Sequence, residues 1–354
     1  MRSELISVAL GTVLSYVAGA ALAQPAQNDG VSNPGKFLLA APAGVDSGAE
    51  NKALPGSVNA GKFDMSKWKY GHAFDAPAGT KLWNPVKIKL LAGGKVTGGT
   101  VNADTSPEQY CAMANAGYDF IWTEMQHSAG TWHDVKNMWA ACPHAKAVPG
   151  VRIANANETD EQHALDEGAL VLIVPTIRSL AEAQEAIKWA YYPPLGGRSS
   201  GDGQYHSSAF WGDVPGGYRQ TINQNLVLIL MIETLDGLRD ADKIAKLPGV
   251  SAIFAASGDL GNFGGYKQGD PDYETEINIV HDAAIKAGVR LCGPFAWKDR
   301  PDFTCFQAGG GGPLVSSGVA AELGALANTQ GKPEVGPYSG MYDAPAAGAG
   351  RRAR

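Results

Sequence analysis

The stretch Leu226-Val227-Leu228-Ile229-Leu230-Met231-Ile232-Glu233-Thr234 decides the fold. An unbroken apolar run ends abruptly in a carboxylate, and the pattern returns at Ala252-Ile253-Phe254-Ala255-Ala256-Ser257-Gly258-Asp259. A strand with one wet face alternates apolar and polar residues. A run without alternation marks a strand covered on both faces, as in a parallel sheet or barrel. Ligands in such folds collect beyond the carboxyl ends of the strands. Glu233 and Asp259 are therefore expected on one rim, as an oxygen-ligand pair.

Outward from this stretch, strands and helices alternate. Strands are predicted over 95–101, 118–124, 147–153, 170–174, 226–232, 252–254 and 289–292, with a weak eighth over 314–316. The intervening helices include 106–116, with Ser106 as N-cap and Pro107 in the first turn, and 135–141. Two more are 158–167, stopped by Gly168, and 180–189. Repeated βα units in this number predict an α/β fold, a (β/α)8 barrel. The alternative is a doubly wound open sheet, and the absence of G-x-G-x-x-G after the first strand counts against it. A Gly-rich segment over 193–217 reads as a long functional loop.

The two ends differ from this core. Met1-Arg2, an apolar stretch from Leu5 to Leu22 and small residues at Ala21 and Ala23 fit a secretory signal peptide over 1–23. The alternative is an uncleaved anchor of about 18 residues. Residues 24–85, rich in Gly, Pro, Ala and Asn, read as an extended N-terminal arm, residues 86–330 as the barrel, and 331–354 as a flexible tail. The expectation is an exported protein, periplasmic or secreted. With 18% charged and 44% hydrophobic residues the 354-residue chain is ordinary globular material. A formal net charge of -6 offers no basic footprint for nucleic acid. Cys111, Cys142, Cys292 and Cys305 lack the CxxC spacing of a thiolate zinc site. Local pairings, 111 with 142 and 292 with 305, stand open beside four free thiols.

The strand ends carry the chemistry. The second ends Glu124-Met125-Gln126-His127, the third Val151-Arg152, the fifth at Glu233 and the sixth runs on to Asp259. Mg²⁺ or Mn²⁺ prefers carboxylate oxygens and keeps open positions, which a bidentate 2-oxo acid would fill, with the metal as Lewis acid on the keto oxygen. Arg152 is suited to an enolate oxygen. His127, oriented by Glu124, is suited to moving protons. Such parts fit carbon–carbon bond cleavage or formation through an enolate.

These residues resemble the HpcH/HpaI aldolase family of the phosphoenolpyruvate/pyruvate-utilising barrel superfamily. The resemblance covers roughly Leu91 to Leu326. It rests on Gly117-Tyr118-Asp119-Phe120 leading to Gln126-His127-Ser128, Val151-Arg152, Leu165-Asp166-Glu167-Gly168-Ala169 and Val174-Pro175. It continues through Tyr192-Pro193-Pro194-Leu195-Gly196-Gly197-Arg198, Ile232-Glu233-Thr234 and Gly258-Asp259-Leu260. The family implies class II, metal-dependent aldol chemistry giving a pyruvate-type 2-oxo acid and an aldehyde. Carried over, Glu233 and Asp259 bind Mg²⁺ or Mn²⁺ (or Co²⁺), Arg152 stabilises the enolate, and Glu124 with His127 forms the acid–base dyad. Gln126, the Ser257-Gly258 backbone and Asp166 (across a subunit interface) contact substrate; Arg198, in the glycine-rich loop, reads either as an aldehyde-side contact or as part of a solvated turn. It also implies a homo-oligomer, a hexamer built as a trimer of dimers that exchange the last barrel helix. The chain departs from the family in Glu124, where an aspartate is usual, and in Ala256-Ser257-Gly258-Asp259-Leu260-Gly261, where G-P-x-D-L-S is usual. Alternative functions are lyase chemistry on a 3-hydroxy acid or thioester, and a catalytically silent periplasmic 2-oxo acid binding protein.

Overall fold

The computed structural model describes residues 71–309, except His144 and 202–204. The signal peptide, residues 24–70 of the arm, the exchanged helix, the 314–316 strand and the tail lie outside the described residues. Within them, eight strands close a parallel barrel in sequence order. They are β1 (Val96–Asn102), β2 (Phe120–Glu124), β3 (Val148–Arg152), β4 (Val171–Val174), β5 (Val227–Ile232), β6 (Ala252–Ala255), β7 (Arg290–Pro294) and β8 (Phe303–Ala308). The eighth strand is thus Phe303–Ala308, and it pairs with β1 to close the ring.

Strand burial explains the apolar runs. Every residue of β5 is buried, from the interior on one side and from helices on the other. Interior filling also governs small residues: a Cβ on Gly98 would lie 2.4 Å from the Phe120 ring, its neighbour in the register. The outer helices include α1 (Pro85–Leu91), α2 (Pro107–Ala114), α3 (Trp132–Ala140), α4 (Glu158–Asp166) and α5 (Leu180–Ala190). They continue with α6 (Tyr205–Trp211), α7 (Tyr218–Asn225), α8 (Leu235–Ala245), α9 (Ser257–Gly264) and α10 (Pro271–Ala287). Their burial follows helical periodicity: α8 buries Leu238, Ala241, Ile244 and Ala245, while Arg239, Asp240 and Lys243 lie away from that stripe. Ser106 caps α2 by accepting from Gln109 N, as its position before Pro107 predicts.

The segment over 193–217 is not a structureless loop. It contains α6 and, with α7, packs under the amino ends of the strands. Trp211 Nε1 donates to Gly168 O (2.9 Å), and Asn223 pairs both ways with the Tyr192 backbone. The helix α1 closes that same mouth. Its N-cap Asn84 donates to Asn225 O (2.8 Å) and Leu170 O (3.2 Å), while Asn225 Oδ1 accepts from the backbone N–H of Trp83 and Asn84. Buried Lys87 reaches Leu226 O and Ser251 Oγ at 2.8 and 2.9 Å. The four cysteines are free thiols, with Cys292 opposite Cys305 across β7 and β8. The Cys111 thiol is pushed up to about 12 by burial and the adjoining Cys142 thiol.

Candidate active site

The opposite mouth, at the carboxyl ends of the strands, gathers the charged residues that interrupt the apolar runs. Glu124 ends β2 and Arg152 ends β3, and the register sets them side by side. Arg152 donates through Nε and Nη2 to Glu124 Oε2 at 2.6 and 2.5 Å. Both side chains are buried, so the pairing of opposite charges offsets the cost of desolvating each. Below them Trp122 is fully buried, donates to Glu124 Oε2 (3.3 Å), lies under the guanidinium and meets Phe254 edge-on. Trp122 is therefore the floor of the site. Arg152 Nη1 has no hydrogen-bond partner among the described residues.

Glu124 meets His127 differently from expectation. Its Oε1 accepts from the His127 backbone N–H (3.0 Å), and Arg152 and Trp122 occupy the other oxygen. The carboxylate thus orders the turn that carries His127 and holds Arg152, with no bond to the imidazole. His127 is exposed on the rim.

Glu233 follows β5 and is 1% exposed. Its Oε1 accepts two hydrogen bonds from one residue, Thr176: from the backbone N at 2.5 Å and from Oγ1 at 2.8 Å. Its Oε2 is buried and has no hydrogen-bond partner among the described residues. Burial pushes the carboxyl above its ordinary value, the Thr176 bonds oppose this, the Asp259 charge adds to it, and Arg152 opposes it more weakly. Asp259 sits in the first turn of α9, whose opening N–H groups lack intrahelical acceptors. The space beside Gly258 is open for at least 4 Å around a notional Cβ. A helix start facing open space favours a carboxylate.

This donor set fits a hard divalent cation. The orphaned Oε2 of Glu233 and the nearby Asp259 supply anionic oxygen, the ligand type Mg²⁺ and Mn²⁺ prefer. Among the described residues no group of three or more His, Cys, Asp or Glu side chains converges. Two carboxylates leave positions for substrate and water.

Asp166 and Arg198 are brought together, but away from this rim. The helix α4 runs down from β3, so Asp166 at its end lies by the amino ends of the strands. Its Oδ1 accepts from Arg198 Nη2 (2.7 Å), and the buried guanidinium is stacked near Tyr192 and Tyr218. Burial would lower the Arg198 pKa, but Tyr218, Tyr192 and Asp166 outweigh it and hold the group above its ordinary value. Within the chain Arg198 is thus paired with Asp166 by the amino ends of the strands, away from Glu233 and Asp259. Trp211 belongs to the same lower layer, stacked on Trp83. Gln126, by contrast, is at the rim, where Nε2 donates to Thr176 Oγ1 (3.2 Å).

Thr176 is the residue that the apolar-run reading missed. It lies two residues beyond β4 and has φ +53°, a left-handed conformation that a β-branched side chain rarely adopts. Strain of this kind costs about 1–3 kcal/mol and gathers at functional sites.

The family model for HpcH/HpaI aldolase/citrate lyase matches residues 103–308, more than half of the 354-residue chain. The chain belongs to this family. Among its relatives is a hydroxypyruvate/pyruvate aldolase of Paraburkholderia phytofirmans, 30% identical over 217 residues, covering 58% of this chain and 81% of that protein. A 2-keto-3-deoxy-L-rhamnonate aldolase of Klebsiella pneumoniae is also 30% identical, over 60% of this chain and 81% of its own length. The crystal structure of an HpcH/HpaI aldolase/citrate lyase family protein from Burkholderia cenocepacia superposes with a TM-score of 0.58 at 24% identity. It covers 69% of this chain and 98% of that one, and shares its fold. As an HpcH/HpaI member the chain is an aldolase, a carbon–carbon lyase, in a family where divalent-metal dependence is typical.

Proposed function

We propose that this aldolase binds a divalent cation through Glu233 and Asp259 and cleaves or forms a carbon–carbon bond next to a pyruvate-type 2-oxo acid. The buried, partnerless Oε2 of Glu233 beside Asp259 carries the reading, because nothing else described at the rim relieves that oxygen. A cation held there supplies Lewis acidity to the keto oxygen.

The chain's own residues supply the rest. The first N–H groups of α9, at Ser257 and Gly258, receive the substrate carboxylate. Arg152, fixed by Glu124, offsets the negative charge that develops on the keto oxygen as the bond breaks. In the cleavage direction the substrate hydroxyl loses its proton, the carbon–carbon electron pair passes into the enolate, and the aldehyde leaves. Protonation of the enolate carbon completes the 2-oxo acid. His127, exposed at the rim with an uncommitted imidazole, is the group that moves these protons. The relatives named as acting on hydroxypyruvate, pyruvate and 2-keto-3-deoxy-L-rhamnonate support a small 2-oxo acid partner for this chain. The amino-terminal signal supports export to the periplasm or beyond, and the family resemblance supports a homo-oligomer.

Pyruvate held with the protein in deuterated water and Mn²⁺ tests the reading. Deuterium should enter the methyl group, and chelator should stop it. Wash-in that persists undiminished with excess chelator, or none at all with either Mn²⁺ or Mg²⁺, would overturn it.

A further inference from the structure

The donors around Glu233 obey a strict count. A threonine hydroxyl has one proton, and Thr176 gives it to Glu233 Oε1 (2.8 Å). The same oxygen can then only accept from Gln126, which sets the amide with Nε2 toward Thr176 at 3.2 Å. Polarity along this chain of three residues is therefore one-way, Gln126 to Thr176 to Glu233. The backbone N–H of Thr176 adds a second bond to the same carboxylate oxygen (2.5 Å). One oxygen of Glu233 is thus filled by neutral donors and the other left bare.

The left-handed turn makes this double donation possible by aiming both the N–H and the hydroxyl of one residue at one oxygen. Its surroundings hold it there. Ile177 N donates to Met231 O (3.1 Å), pinning the turn to β5. Gly237, in the first turn of α8, packs so close that a Cβ would lie 2.4 Å from Ile177 O. A strained conformation clamped on both sides and spent on one carboxylate is a positioning device.

We infer that Thr176, supported by Gln126, is a positioning residue that turns Glu233 so that Oε2 alone is presented to the cation. The inference rests on Glu233 being a metal ligand, so its test separates the two claims. Mn²⁺ binding to the metal-stripped full chain is measured by the signal of free Mn²⁺, alongside apo melting temperature and the kcat and KM of aldol cleavage. Thr176→Val keeps the size, β-branching and backbone N–H but loses the hydroxyl. It should weaken Mn²⁺ binding by roughly 10–100-fold, the range of losses for groups that orient a ligand, with the apo melting temperature little changed. Thr176→Ser should restore affinity to within about threefold. Thr176→Gly, which removes the strain and the hydroxyl together, should melt no lower than the parent yet bind Mn²⁺ as poorly as the valine variant. It also serves if the valine variant does not fold. Parent-like Mn²⁺ affinity in the valine or glycine variant overturns the inference. Glu233→Gln distinguishes its basis: if that variant also binds Mn²⁺ like the parent, the metal-ligand reading itself fails.

Discussion

The Asn84, Lys87 and Asn225 network at one mouth of the barrel and the charged groups at the other meet their hydrogen bonds in opposite ways. At the amino-terminal mouth, Asn84, Lys87 and Asn225 pair with backbone carbonyls, backbone N–H groups and one another. At the carboxyl-terminal mouth, Glu233 Oε2 and Arg152 Nη1 have no hydrogen-bond partner among the described residues and Thr176 sits in a strained turn. A saturated network contributes stability and has no capacity left for a ligand. An unsaturated one costs stability and is ready to bind. The difference assigns stability to one end and chemistry to the other, on one continuous core.

That division breaks first, and most visibly, at Arg152. Arg152→Met should lower kcat by about 10²–10³-fold, as the loss of a group facing developing negative charge does. Melting should also fall, because Glu124 is left buried without its partner. Steady-state kinetics and calorimetry read the two effects, and near-parent kcat would reassign the enolate contact. A change at the other mouth should do the reverse. Asn225→Leu leaves the N–H groups of Trp83 and Asn84 unpaired, a loss of roughly 2–4 kcal/mol. For a barrel of this size that is a melting drop on the order of 5–15 °C, with Mn²⁺ affinity unchanged. A fall in Mn²⁺ affinity equal to the fall in stability would show that the mouths are not separable.

The smallest effect concerns a buried acid that belongs to neither mouth. Glu161 in α4 is 0% exposed, and neither carboxylate oxygen has a hydrogen-bond partner among the described residues. Burial, then the charges of Asp160 and Glu185, raise its pKa well above 4.5. Near pH 4 the group is protonated in both the folded and unfolded chain. As pH rises past 4.5 only the unfolded chain ionises, so stability falls until the folded value is reached. Glu161→Met should therefore raise the melting temperature at pH 7 by a few degrees, about 1–3 kcal/mol, and less at pH 4. A pH-independent gain would mean that lost charge is not the cause.

Much of this was legible in the sequence because burial on both faces leaves a mark in composition. Val227–Ile232 and Val171–Val174 are runs that only a covered strand explains, and Glu233, directly after the first of them, lies at the rim for the same reason. The eighth strand, Phe303–Ala308, is interrupted by Thr304 and Gln307, so it carries no unbroken apolar run. Where Arg198 and Asp166 lie was not legible, because a motif shows residue types and not the end of the barrel they reach. The descending direction of α4 decides that. Thr176 left no mark at all. Its importance lies in a backbone angle and in a partner 57 residues away, neither of which composition or local spacing encodes.

The bond between Arg152 and Glu124 also enters the charge balance of the rim. One guanidinium stands against three carboxylates, Glu124, Glu233 and Asp259, so these rim side chains sum to a formal charge of minus two. A 2-oxo acid is itself an anion and is repelled by such a rim. A dication brings the sum to zero. On the proposed reading of a cation held by Glu233 and Asp259, ordered binding is expected, with the cation entering first and the anionic 2-oxo acid second.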